Sequence, residues 1–193
     1  GIGAPLADEI VRAAMFIRAV TLSKGFSGIR LEIIQTILDM LNKGVLPIVP
    51  SKGSLGSSGD LCQLSHLALV ISTDDKDLEE ESGRAIYDGA SLTGKSAMQN
   101  AEIVRIVVSA KEGLALNNGA TFTAAIGALS VYETDYLLHV AEIATALSME
   151  ALWILIRSRR CLMRHILAWG CSMATRLTMP WTSYPFSRSN SDR

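Results

Sequence analysis

Apolar residues recur along this chain at helical rather than strand spacing. After Pro5, residues Ile10, Ala13, Ala14, Ile17 and Leu22 fall near a 3.6-residue period, Asp8 and Glu9 sit in the first turn, and Lys24-Gly25 mark the end. The pattern predicts a helix with both termini signposted. A second helix is predicted from about Leu31 to Lys43, with Ile33, Ile34, Ile37, Leu38 and Leu41 on one side and Gly44 as its stop. Pro47 and Pro50 forbid continuation. The polar loop "VLPIVPSKGSLGSSG" follows, then Asp60 in an N-cap or first-turn position and a third helix over Leu61 to Ile71.

Residues 73–90 are acidic and read as an exposed excursion, a loop or small hairpin. Helix signals return from Thr93 through "KEGLALNNGA" and dominate a long segment from about Thr121 to Leu152. There Ala124, Ala125, Ala128, Ala144, Ala146 and Ala151 suit close helix contacts, while Leu129, Leu137, Val140, Ile143 and Leu147 supply bulk. Without strand alternation, the expectation is an all-α helical bundle.

Composition adds limits. The 193 residues are 49% apolar and 19% charged, as in a globular protein, and the net charge of −1 suggests no nucleic-acid partner. Three cysteines without a CxxC pair argue against a disulfide framework and against a thiolate metal site, so a reducing cytoplasm is expected. No apolar run reaches the ~20 residues of a membrane span, so no membrane is expected. The chain starts at Gly1 rather than methionine, which suggests a processed product or fragment. The average charge conceals a break at residue 153. From Trp153 to Arg193 there are seven arginines against one acid, Asp192, whereas the first 152 residues carry 11 basic against 18 acidic groups. The arginines share no helical face, so residues 153–193 are read as a divergent basic tail, out of frame or disordered, on a folded part of 1–152.

Two motifs are weighed and set aside. "GASLTGKS", residues 89–96, matches the phosphate-loop pattern and nominates Lys95 and Ser96, but that loop requires a buried parallel strand before it, and only "AIY" precedes it. "GSSG", Gly56 to Gly59, is one residue short of a nucleophile elbow. His66 and His139 are available as bases, though a histidine on an apolar helix is usually structural, and no His/Glu group has metal-ligand spacing.

The stretch "KGSLGSSGDLCQLSHLALV" resembles the aromatic amino acid ammonia-lyases, whose Ala-Ser-Gly tripeptide within "GSxGASGDLxPLxH" cyclises with loss of two waters to methylidene-imidazolone (MIO). The resemblance assigns Ser57, Ser58 and Gly59 to the ring and Asp60 to its support. Attack by the Gly59 nitrogen on the carbonyl of residue 57 needs a tight reversal that glycine permits. Loss of the Ser58 hydroxyl leaves an exocyclic methylene, an electrophile that no ordinary side chain offers. A helix N-terminus just beyond supplies N–H donors where charge builds on the ring oxygen. Ser57 stands where the family usually has Ala or Thr, and Cys62-Gln63 replaces its Ala-Pro.

Two further segments carry the resemblance. "LSKGFSGIRLEIIQTILDMLNKGVLPIVPSKGS" is similar to the family's "LAKGYSGVR…LLNAGVHPVVPEKGS", and "AKEGLALNNGATFTAA" to its "KEGLALLNGTQ". The latter assigns Asn118 to holding the substrate; Val20 stands where the family has asparagine. Together these cover about residues 1–152. The implied fold is the helical core of the fumarase/aspartase-like architecture. The implied activity is carbon–nitrogen lyase chemistry on an aromatic L-amino acid, histidine to urocanate foremost, in a metal-free homotetramer. The family's catalytic tyrosines and its carboxylate-binding arginine lie in segments this chain does not carry, so a truncated, inactive piece is expected. Alternatives are an aromatic amino acid 2,3-aminomutase, a nucleotide binder at 89–96, and a non-catalytic helical scaffold.

Overall fold

In the computed structural model, which describes residues 1–55 and 58–157 with side chains to residue 153, two helices lie against each other at the heart of the core. They are α1 (Asp8–Ser23) and α2 (Leu31–Lys43). The buried stripe of α1 is Val11, Met15, Arg18 and Leu22 with Ala14 and Ala19, one residue round from the predicted face. Ile10, Ala13 and Ile17 are only half-buried. Apolar residues flank both sides of this helix, so spacing alone could not choose the face; packing did. Helix α2 keeps its predicted bounds and ends at Gly44, whose φ of 76° lets its N–H close on the Met40 carbonyl.

Helix α3 (Leu61–Ile71) contributes Leu64, Leu67, Val70 and Ile71 to the same core, which also takes Met98 from α4 (Gly94–Asn100) and Leu116 from α5 (Glu112–Asn117). Burying these large side chains supplies the main stabilisation, roughly 1.5–3 kcal/mol each.

The expectation of an all-α chain is corrected in part. Among the described residues the molecule is mostly helical but carries three small sheets. Strand β1 (Ile2–Pro5) pairs antiparallel with β3 (Pro50–Lys52). Strand β2 (Leu46–Pro47) joins the hairpin of β5 (Arg84–Tyr87) and β6 (Ala90–Thr93), and β4 (Ser72–Thr73) runs parallel to β7 (Ile106–Val107). Prolines at 5, 47 and 50 keep these ladders short, since proline donates no N–H. The hairpin turns at Asp88-Gly89, both with positive φ, the signature of a two-residue turn matched to strand twist.

Helix α6 (Thr121–Arg157) is the longest element. The chain divides into two compact units, Gly1–Thr134 and Asp135 onward. In the first unit Thr121, Phe122 and Ala125 are buried. Every residue from Ser130 to Trp153 is exposed, so Leu137, Val140, Ile143 and Leu147, predicted as interior bulk, are uncovered in this chain. By length and composition alone the helical stretch Glu112–Trp153 is apolar enough to span a membrane, contrary to the expectation that the chain holds no such run. Glu133, Asp135, His139 and Glu142 punctuate it. Most of the predicted tail, residues 158–193, lies outside the described residues.

Candidate active site

Asp60 heads α3 yet does not cap it. Its backbone takes the N-cap place, and its carboxylate, 3% exposed, turns instead to the start of α6. One oxygen accepts the Thr123 N–H at 2.8 Å and the other the Thr123 hydroxyl at 2.9 Å. A carboxylate there satisfies one of the orphan donors of the first helical turn and meets the positive end of the helix dipole. Ser54 reinforces the arrangement, its hydroxyl donating to the Gly59 carbonyl at 3.3 Å and to Asp60 Oδ1 at 3.4 Å.

The residue before Asp60 explains why glycine is needed. Gly59 has a φ of +90°, and a Cβ there would lie 2.9–3.0 Å from the carbonyl carbon, nitrogen and oxygen of Gly119. Two main chains thus meet with no side chain between them, and the Asp60 N–H donates to the Gly119 oxygen at 2.9 Å. Gly119, at φ +146°, is hemmed in on its far side, where a Cβ would sit 2.7 Å from Arg18 Nη1.

Arg18 reaches this corner from α1. Its guanidinium donates to the carbonyls of Ala115 and Asn118, the latter at 2.8 Å, and to Thr121 Oγ1 at 3.4 Å. Burial pushes its pKa down, and its Nε has no partner among the described residues. Ser65 of α3 donates to Asn117 Oδ1 at 2.9 Å, a second tie between the loop's helix and α5.

Asn118 closes α5 in an extended conformation and is exposed. With Phe26, Ser27, Lys111, Leu114 and Ala115 it lines a depression of about 210 Å³. At the other end of α5, Glu112 is buried and accepts from Arg30 Nε and Nη2, both at 2.8 Å, and from the Ser109 N–H at 2.7 Å. The Arg30 side chain, then the Ser109 amide, hold this carboxyl at a pKa of about 2 against the opposing effect of burial.

Of the residues nominated from sequence, Ser58, Gly59, Asp60 and Asn118 therefore gather around one corner, although Gly59 and Gly119, which meet there, stand 60 positions apart. Ser58 is exposed, and Ser57 lies outside the described residues. Arg18 and Thr123 were not anticipated. An arginine on the stripe of Val11, Met15 and Leu22 is a readable signal for the first; nothing in the sequence marks the second.

The remaining nominations take structural parts. Gly94-Lys95-Ser96 opens α4 after an antiparallel hairpin, not a parallel strand. Lys95 pairs with Asp77 at 2.9 Å, and the Ser96 hydroxyl donates to Glu79 at 2.7 Å, so both side chains are already engaged. His66 is half-buried and desolvation lowers its pKa, while exposed His139 bonds the Asp135 carbonyl of its own helix. Among the described residues no three His, Cys, Asp or Glu side chains converge as metal ligands.

A family model described as aromatic amino acid lyase matches residues 1–154. The chain belongs to the aromatic amino acid lyase family. It is 50% identical over 151 residues to a histidine ammonia-lyase of Alkaliphilus oremlandii, covering 78% of this chain and 28% of that relative. Among solved structures it is similar to the histidine ammonia-lyase of Trypanosoma cruzi, with a TM-score of 0.69 at 36% identity over 82% of this chain and 31% of that one. It is equally similar to the phenylalanine aminomutase of Pantoea agglomerans, with a TM-score of 0.70 at 34% identity over 79% and 28%. The chain thus spans under a third of the length of these lyases and aminomutases. The corner built by Gly59, Asp60, Asn118 and Gly119 is the candidate active-site element of a lyase-family chain.

Proposed function

We propose that this chain is the MIO-bearing helical core of an ammonia-lyase acting on an aromatic L-amino acid, histidine first. One observation carries the reading: Gly59 is held in a left-handed conformation against Gly119, the residue after Asn118, with Asp60 locked behind it. The residues present fit the ring. A left-handed glycine is the reversal its closure needs, and a Cβ at either glycine would fill the space where the two main chains touch.

In this reading Ser57, Ser58 and Gly59 form the MIO ring without a metal, and it would supply an electrophilic methylene for the substrate's reacting group. Asp60 anchors the loop through Thr123, which fixes the Gly59 nitrogen. Asn118, exposed at the rim of its depression, orients the amino acid or the ring oxygen by hydrogen bonding. Residues 1–152 are the lyase part, an all-α, fumarase/aspartase-like core apart from its small sheets, and 153–193 an appended basic tail. The exposed apolar residues of α6 support assembly as a homotetramer in the full-length protein, in the cytoplasm. Because so little of the relatives' length is present, the chain alone is expected to turn over no histidine.

The likeness to the aminomutase of Pantoea agglomerans supports a second reading, in which the same ring serves amino-group migration. Product analysis of a full-length protein carrying this core separates them: urocanate and ammonia for the lyase, a β-amino acid for the mutase. For the core reading itself, intact-mass and peptide-mass measurement of the purified chain is expected to show a deficit of two waters confined to the peptide containing Ser58. A peptide at its uncyclised mass overturns the assignment.

A further inference from the structure

Arg18 has no place in the chemistry above, and its surroundings are costly. It is 3% exposed, on an otherwise apolar stripe of α1, and among the described residues no carboxylate pairs with it. A lone buried guanidinium loses its hydration without the compensation of an ion pair, and a Met or Leu of similar volume would serve the core better. What the arginine has instead is three acceptors on one corner: the Ala115 and Asn118 carbonyls at the end of α5 and the Thr121 hydroxyl at the start of α6. Carbonyls at a helix C-terminus are the negative end of its dipole, so the charge is matched to a peptide dipole in place of a side chain.

Gly119 lies between this guanidinium and Gly59, in close contact with both. Whatever fixes the Asn118–Gly119 peptide therefore fixes two things at once: where the Asn118 side chain starts, and where the Gly119 oxygen waits for the Asp60 N–H. We propose that Arg18 is a positioning residue for the site, clamping the Asn118–Gly119 corner so that the Gly59–Asp60 segment docks in one register. Its bearing on catalysis rests on the ring reading given above; its bearing on docking does not. The forked guanidinium suits the task, because a lysine ammonium cannot reach acceptors spread over three residues in one plane.

The test is residue-resolved amide exchange on the 193-residue chain, comparing the wild type with R18M and R18K, with peptide mass measured on the same samples. In R18M the Asp60 amide is expected to exchange about tenfold faster or more, while the amides of Ile37 and Met40 in α2 keep their protection. R18K is expected to fall between, a partial rescue by retained charge. Unchanged exchange at Asp60 in both variants overturns the proposal. So does a uniform rise across all helices, which would make Arg18 ordinary core support. If R18M does not fold, R18K decides by the same two criteria. Wild-type peptide lacking the two-water deficit, alongside a selective change at Asp60, overturns the ring and leaves the clamp standing.

Discussion

Asp60 and Thr123 are joined twice, the carboxylate taking both the amide and the hydroxyl of a residue 63 positions away at 2.8 and 2.9 Å. The same aspartate opens α3 with its backbone, so one residue serves two helix N-termini. The register of the loop before α3 is thereby tied to the first turn of α6.

Removing that carboxylate leaves the part-buried Thr123 N–H at the start of α6 without its partner. Asp60→Ala is expected to cost about 1.5–3 kcal/mol in chemical denaturation. Thr123→Val, which keeps the amide bond and loses the hydroxyl, is expected to cost about 1 kcal/mol. A cost for Asp60→Ala no greater than that of Thr123→Val would show that the carboxylate does not hold α6.

Gly119 and Gly113 offer a matched pair. Gly119→Ala forces a side chain into a φ of +146° and against Arg18, so a loss of about 2 kcal/mol or more is expected. Gly113 lies in α5 with nothing within 4 Å of a new Cβ, and its replacement by alanine is expected to stabilise by about 0.4–1 kcal/mol. Thermal midpoints moving in the same direction for both would contradict the close contact at Gly119.

Glu112 sets an acid limb. Its folded pKa of about 2 lies below the ordinary carboxylate value, so the folded state binds fewer protons there than the unfolded chain. The stability it contributes is present above about pH 4.5 and disappears as pH falls toward 2. Glu112→Gln is expected to be less stable than wild type near neutrality, with the gap closing through that window. A gap independent of pH, read from melting curves at stepped pH, would rule out the Arg30–Glu112 pairing as its source.

Lys95 is expected to bind no nucleotide. Magnesium-ATP should leave the melting temperature of the chain unchanged, and Lys95→Ala should shift it by no more than about 3 °C, because the pair with Asp77 is partly exposed. A nucleotide-dependent rise abolished by Lys95→Ala would restore the phosphate-loop reading.

Much of the scaffold was legible because local chemistry and tertiary demand agree. Gly44 stops α2 where its left-handed conformation is required, and α3 begins after Asp60 as the capping signal predicts. The strands were less legible, since two- to four-residue ladders leave no period to detect, although Asp88-Gly89 between "RAIY" and "ASLT" is a hairpin signal in retrospect. The site was legible only as a motif. That Asp60 would cap a helix was readable; that the helix would be α6 was not, because its partner Thr123 is fixed by the meeting of two glycines that no spacing rule connects. The apolar length of α6 misled in another way. From Ser130 onward its leucines and alanines look like core, and in this chain they are exposed.

The span between the two glycines also sets a clock for synthesis. Gly59 leaves the ribosome 60 residues before Gly119, and Arg18 a hundred before Asn118, whose carbonyl it holds. Until the chain beyond Thr123 has emerged and begun to coil, nothing imposes the left-handed turn. Any maturation that depends on that turn must therefore follow the emergence of the chain beyond Thr123, and a ribosome stalled before residue 119 would carry a loop that is chemically untouched.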